Sequence, residues 1–170
     1  MTRWTLTLQK HLEELVRLNE RLLALAEARL KAMTERDAAR LQMLLAEERT
    51  VSLALFEEER CRQVAMIHLA GELGVAPAQI PALTVSEVAR RVGQPVGGRL
   101  LALRERLHKL AGATQRVNET AVKLAQRFLP FFQELLSILL GGSAGQAVYT
   151  AEGLATRVGA SGMNVVDVRI

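Results

Sequence analysis

Residues 5 to about 70 contain neither glycine nor proline, and apolar side chains recur through them at helical spacing: Leu8, Leu12, Leu15, Leu22, Leu23, Leu30, Met33, Leu41, Leu44 and Leu45. An unbroken helix over this stretch would be roughly 100 Å long at 1.5 Å per residue. Globular helices are far shorter, so the pattern predicts a coiled-coil-like hairpin with one break. The break is expected near Thr34-Glu35-Arg36-Asp37, where Thr34 is the candidate cap of a second helix and Asp37 the fourth residue of a T-x-x-D box. Composition agrees: 29 Leu and 24 Ala in 170 residues favour helix, and six aromatics are too few for a sheet protein. An all-β or doubly wound α/β fold is excluded at this point.

The remaining chain divides into three stretches. Gly71, Gly74, Pro77 and Pro81 interrupt the periodicity and mark residues 71–99 as a connection. Within it Thr84-Val85-Ser86-Glu87 is a capping box, predicting a short helix over 85–92 that ends at Gly93 and packs Val85, Val88 and Val92 on the bundle. From Leu100 a heptad-type stripe continues through Leu103, Leu107, Leu110, Thr114, Val117, Ala121, Leu124, Phe128, Phe131 and Leu135. It predicts a last helix over 100–140, kinked or restarted near Pro130. Six of the 12 glycines fall within 141–170, which reads as a flexible tail after a helical domain spanning 1–140.

Charge and rare residues restrict the chemistry. The net charge of +4 is dispersed, and the longest run of basic residues is the pair Arg90–Arg91, so no nucleic-acid partner is expected. Leu83 to Gly93 resembles the first helix of a MerR-type helix-turn-helix, but the residues that follow lead into the heptad stripe instead of a recognition helix. The first twenty residues carry acids and no continuous apolar core, and 128–140 is interrupted by Pro130, Gln133, Glu134 and Ser137. Neither a signal peptide nor membrane insertion is expected. Cys61 is the single cysteine, and it sits among carboxylates that oppose a thiolate; a reducing, cytoplasmic setting and no thiol chemistry follow as expectations. Glu105 and His108 form one E-x-x-H, but a di-iron bundle needs a second such pair and two more carboxylates, and neither His11 nor His68 has a Glu three residues before it. The expectation is a protein with no catalytic residues, no metal and no cofactor.

Glu47-Glu48-Arg49, followed by Leu53, Leu55, Arg60 and Arg62, resembles an E-[KR] stretch in the first helical region of the FlgN family, the type III export chaperones for the flagellar hook-filament junction proteins. Gln115-Arg116-Val117-Asn118 with Leu124 resembles an Asn-containing stretch of its last helix, and Val148-Tyr149-Thr150-Ala151-Glu152-Gly153 resembles a Y-G-x-[DE]-G motif in the tail. The chain also ends in an apolar-basic string, Val168-Arg169-Ile170, like that of the family. Departures are Ala121 in place of a second Asn, Thr150 in place of the Gly after the tyrosine, and Pro130 within the last helix.

The resemblance implies a cytoplasmic all-α chaperone that holds C-terminal helical segments of hook-associated proteins and delivers them to the export gate. It implies client binding on the last helix, at Val117, Asn118, Leu124, Phe128, Phe131, Phe132, Leu135, Leu136, Leus 139 and 140 (Leu139, Leu140). It also implies docking of Val148, Tyr149 and Gly153 on the cytosolic domain of the export-gate protein. The expected architecture is an elongated antiparallel helical hairpin or coiled-coil-like bundle, with a short extra helix and a Gly-rich tail. The competing expectation is a structural coiled-coil adaptor that buries the same apolar residues in a homodimer seam.

Overall fold

A computed structural model of the chain describes residues 3–139, 147–149 and 155–157. Helix α1 (Arg3–Glu35) and helix α2 (Ala38–Glu72) form the predicted hairpin. Their contacts run in opposite senses along the two helices, from Trp4 with His68 through His11 with Glu58 to Arg21 with Glu47, so the helices are antiparallel. The break falls where it was expected, but its chemistry differs. Thr34 donates its hydroxyl to the Lys31 carbonyl, while Asp37 Oδ1 accepts from Arg40 N–H at 2.9 Å and is the cap of α2. The end of α1 dictates this arrangement. Arg36 takes a left-handed conformation (φ 57°), and Asp37 N–H reaches back to the Ala32 carbonyl at 3.0 Å, a Schellman closure that leaves Asp37 as the first residue free to start α2.

Helix α2 closes in a similar way. Val75 N–H bonds the Ala70 carbonyl at 3.0 Å around Gly74, whose φ of +66° is strained for any residue with a side chain. Val75 is then buried. A 3-10 helix, Pro77–Ala82, leads to α3 (Val85–Val92), which is capped by Thr84 Oγ1 accepting from Glu87 N–H at 3.2 Å and stops at Gly93. Val88 and Ala89 are buried, with Val85 and Val92 packed beside them, so the apolar face of α3 is spent on the core.

Helix α4 (Val96–Leu139) starts four residues before the predicted position. Gly97 and Gly98 lie in its first turn, and α3 and α4 approach closely at Gly97, where a Cβ would stand 2.2 Å from the Ala89 carbonyl oxygen. The helix also continues through Pro130 without restarting. A proline removes one N–H and displaces one carbonyl, and here the surrounding turn is exposed, where water satisfies the freed group.

The core joins Leu8, Leu12 and Leu15 of α1 to Ala65, Met66 and Leu69 of α2, with Val88 of α3 and Leu100 of α4 closing it. It therefore sits where four helices meet, at the end of the hairpin remote from the Arg36–Asp37 turn. Leu45, read from its spacing as part of the apolar stripe, is exposed, on the side of α2 opposite the buried Ala65, Met66 and Leu69.

By contact density the chain forms two units, Met1–Leu124 and Ala125–Ile170, and α4 contributes to both. In the second unit, β1 (Ala147–Tyr149) pairs antiparallel with β2 (Ala155–Arg157), Val148 opposite Thr156. The fold of the described residues is all-α apart from this short pairing.

Candidate partner-binding site

The charge excess of the whole protein resides on α4. Arg99, Arg104, Arg106, Lys109, Arg116, Lys123 and Arg127 stand against Glu105, Glu119 and Glu134, while the other charges of the chain balance. Of the α4 cations, only Arg106 and Lys109 have ion pairs among the described residues, Arg106 with Glu20 and Lys109 with Glu105 at 3.5 Å. The others are exposed and have no ion pair among the described residues.

In the second unit α4 changes character. Leu129, Phe132 and Leu136 follow one line of the helix at spacings of three and four, and Phe131, Leu135 and Ile138 follow another. All six are exposed, and together they cover about half of the circumference. Phe131 and Phe132 meet edge to face, with ring centroids 6.0 Å apart. Phe128 is half-buried. Gln133, Glu134 and Ser137 occupy the opposite side, where the Ser137 hydroxyl donates to the Glu134 carbonyl at 2.7 Å. A helix that presents this much apolar surface to water can bind another amphipathic helix by packing alone.

The remaining predicted residues fall in three places. Val117 and Leu124, in the first unit, are half-buried on the side of α4 that carries Leu100 and Ala121. Leu139 ends α4, and Leu140 and Gly153 lie outside the described residues, as does most of the predicted tail. Val148 and Tyr149 are in β1, Tyr149 opposite Ala155.

Asn118 has an intramolecular partner that sequence reasoning missed. Its Oδ1 accepts from Arg29 Nη2 at 2.5 Å, and Arg29 Nη1 lies 3.3 Å from Glu48 Oε2. Arg29 of α1 thus ties together the two segments singled out for resemblance, Glu48 on α2 and Asn118 on α4. Burial pushes the Glu48 carboxyl above its ordinary pKa, and the Arg29 charge only partly pulls it back. Glu48 Oε1 and Arg29 Nε are buried without hydrogen-bond partners, so the knot is incompletely satisfied. The signal in the sequence was an arginine within an Ala/Leu-rich helix, which takes on meaning only when three helices meet around it.

Residues weighed for catalysis do not converge. Glu105 turns to Lys109, His11 Nδ1 is 2.6 Å from Glu58 Oε1, and Cys61 is exposed on α2. Among the described residues no group of three or more His, Cys, Asp or Glu gathers at one point, and no helix is long and apolar enough to cross a membrane.

In comparison with known proteins, the family model described as FlgN protein matches residues 1–157, which takes in all four helices and both strands. No curated protein and no solved structure matches the chain.

Proposed function

The chain belongs to the FlgN family of flagellar export chaperones, and on that premise we propose that it binds C-terminal helical segments of hook-associated proteins in the cytoplasm and delivers them to the type III export gate. The observation that carries the client-binding part is the exposed apolar arc of α4 from Leu129 to Ile138. A client helix laid on this arc buries its own apolar stripe, and the free cations of α4 offer a rim for its carboxylates. Such holding needs no catalytic group. It is reversible because the affinity comes from packing and rim charge, which suits a chaperone that must release its client for export.

Docking on the cytosolic domain of the export-gate protein falls to the tail motif around Val148, Tyr149 and Gly153. A tyrosine supplies a rigid apolar ring with a polar tip, a common anchor at interfaces.

Co-purification with the C-terminal segments of hook-associated proteins from the same genome tests both assignments. The expected result is a stoichiometric complex that is lost in Phe131→Ser/Leu136→Ser and kept in Tyr149→Ala, while Tyr149→Ala loses capture by the export-gate cytosolic domain. If no client segment binds and the protein instead self-associates as its concentration rises, the arc is a homodimer seam and the adaptor reading replaces this one.

A further inference from the structure

The outer face of α2 is a second unpartnered apolar surface, separate from the α4 arc. Leu45, Leu53, Phe56, Val64 and Ile67 share one side of this helix, opposite the buried Ala65, Met66 and Leu69, and all five are exposed, Phe56 at 68%. Arg49 and Arg60 stand in the same line, completing steps of four, four, three, four, four and three. The stripe is roughly 33 Å long.

Beside it lies a pocket of about 210 Å³ between α1 and α2. Trp4, Thr7 and His11 form one wall; Arg60, Cys61 and Val64 form the other, so the stripe and the pocket share Arg60 and Val64. Trp4 is a firm wall: it stacks on His68 with centroids 4.2 Å apart, and the Arg3 guanidinium lies 5.9 Å from its ring centroid. The pocket has room for one large apolar side chain projecting from a helix seated on the stripe.

Charge decides what that helix is. Arg60 has only Glu57 of its own helix, at 3.6 Å, and Arg49 has no ion pair among the described residues. If two copies of this chain paired through the stripe, four arginines would enter the seam with two Glu57 carboxylates, leaving two arginines desolvated without a counter-charge. A foreign helix with its own carboxylates has no such cost. Arg49 and Arg60 are eleven residues apart, about three turns, so complementary carboxylates would be spaced by the same interval.

We infer that the outer face of α2 is a second docking surface, for a partner's amphipathic helix that carries acidic residues about three turns apart and inserts one large apolar side chain beside Trp4. It works independently of client binding on α4.

Trp4 is the only tryptophan, so its fluorescence reports on this pocket directly. The probe is a synthetic Leu-rich helical peptide of about 18 residues with Glu at positions i and i+11, compared with the same peptide carrying Lys there. The Glu peptide should change Trp4 emission saturably and bind about tenfold more tightly than the Lys peptide. Arg49→Glu/Arg60→Glu, two exposed changes whose fold is checked by circular dichroism, should reverse that order. Phe131→Ser/Leu136→Ser should leave both affinities unchanged, so a failure of the α4 assignment and a failure of this one give different results. Equal binding of the two peptides, binding unaffected by the arginine changes, or a concentration-dependent dimer abolished by Phe56→Asp would each overturn the inference.

Discussion

Replacing Arg29 by methionine keeps the aliphatic stem in the helix packing and removes the charge from the junction of α1, α2 and α4. The guanidinium is 3.3 Å from the Glu48 carboxylate, a gross attraction of about 5 kcal/mol at an effective dielectric of about 20. Part of this is offset, because methionine does not have to be desolvated. The hydrogen bond to Asn118 contributes about 1 kcal/mol more. Removing one partner of a fully buried pair costs about 3–5 kcal/mol, and here the side chains retain 20% and 14% exposure, so a loss of about 2–3 kcal/mol is expected at neutral pH.

The loss should depend on pH in a definite direction. Glu48 titrates above its ordinary value in the fold, so the stability it contributes is fully present below the unfolded pKa and is lost as pH rises through the folded one. Without Arg29 that pKa rises further. The destabilisation by Arg29→Met is therefore largest at neutral pH and shrinks as pH falls toward about 4, where the carboxyl is neutral in both forms. Urea unfolding followed by circular dichroism at the two pH values measures it, and Glu48→Leu added to Arg29→Met should recover most of the loss. A loss below about 0.5 kcal/mol at neutral pH, or one equal at both pH values, would refute the reasoning.

Five further substitutions, at three places, probe the fold. Leu69→Ala, at the fully buried centre of the core, should cost about 2–5 kcal/mol in urea unfolding, whereas Leu53→Ala on the exposed side of the same helix should stay within about 0.5 kcal/mol. Gly97→Ala forces its Cβ against the Ala89 carbonyl and should cost about 1–3 kcal/mol, with faster amide exchange in α3 as the local signature. Asp37→Ala should lower stability by about 1 kcal/mol while Thr34→Ala leaves it nearly unchanged, the reverse of what a Thr34 cap requires.

Most of the local structure was legible because its causes are local. The hairpin break, the Thr84 cap, the 85–92 helix and the apolar excess beyond Phe128 follow from spacing, capping residues and the positions of glycine and proline. Where local reading failed, a neighbour had intervened. Asp37 took the cap because the Schellman closure of α1 occupied the residues before it, and α4 begins before Leu100 with Gly97 lying too close to Ala89 of α3 for a side chain.

The candidate surfaces divide in the same way. That α4 is amphipathic and cationic, and apolar over about half of its circumference near its end, is a property of the order of its residues and would hold in any helix built from them. Whether an apolar side chain on α2 is core or surface is different: Leu45 and Leu69 have the same chemistry, yet one is exposed and the other is fully buried. Only the packing of α1, α3 and α4 around the far end of the hairpin separates them, since burial depends on which neighbours arrive and periodicity specifies only which residues share a face. For the same reason Arg29 became the tie between Glu48 and Asn118, three residues that lie far apart along the chain and meet only where α1, α2 and α4 converge.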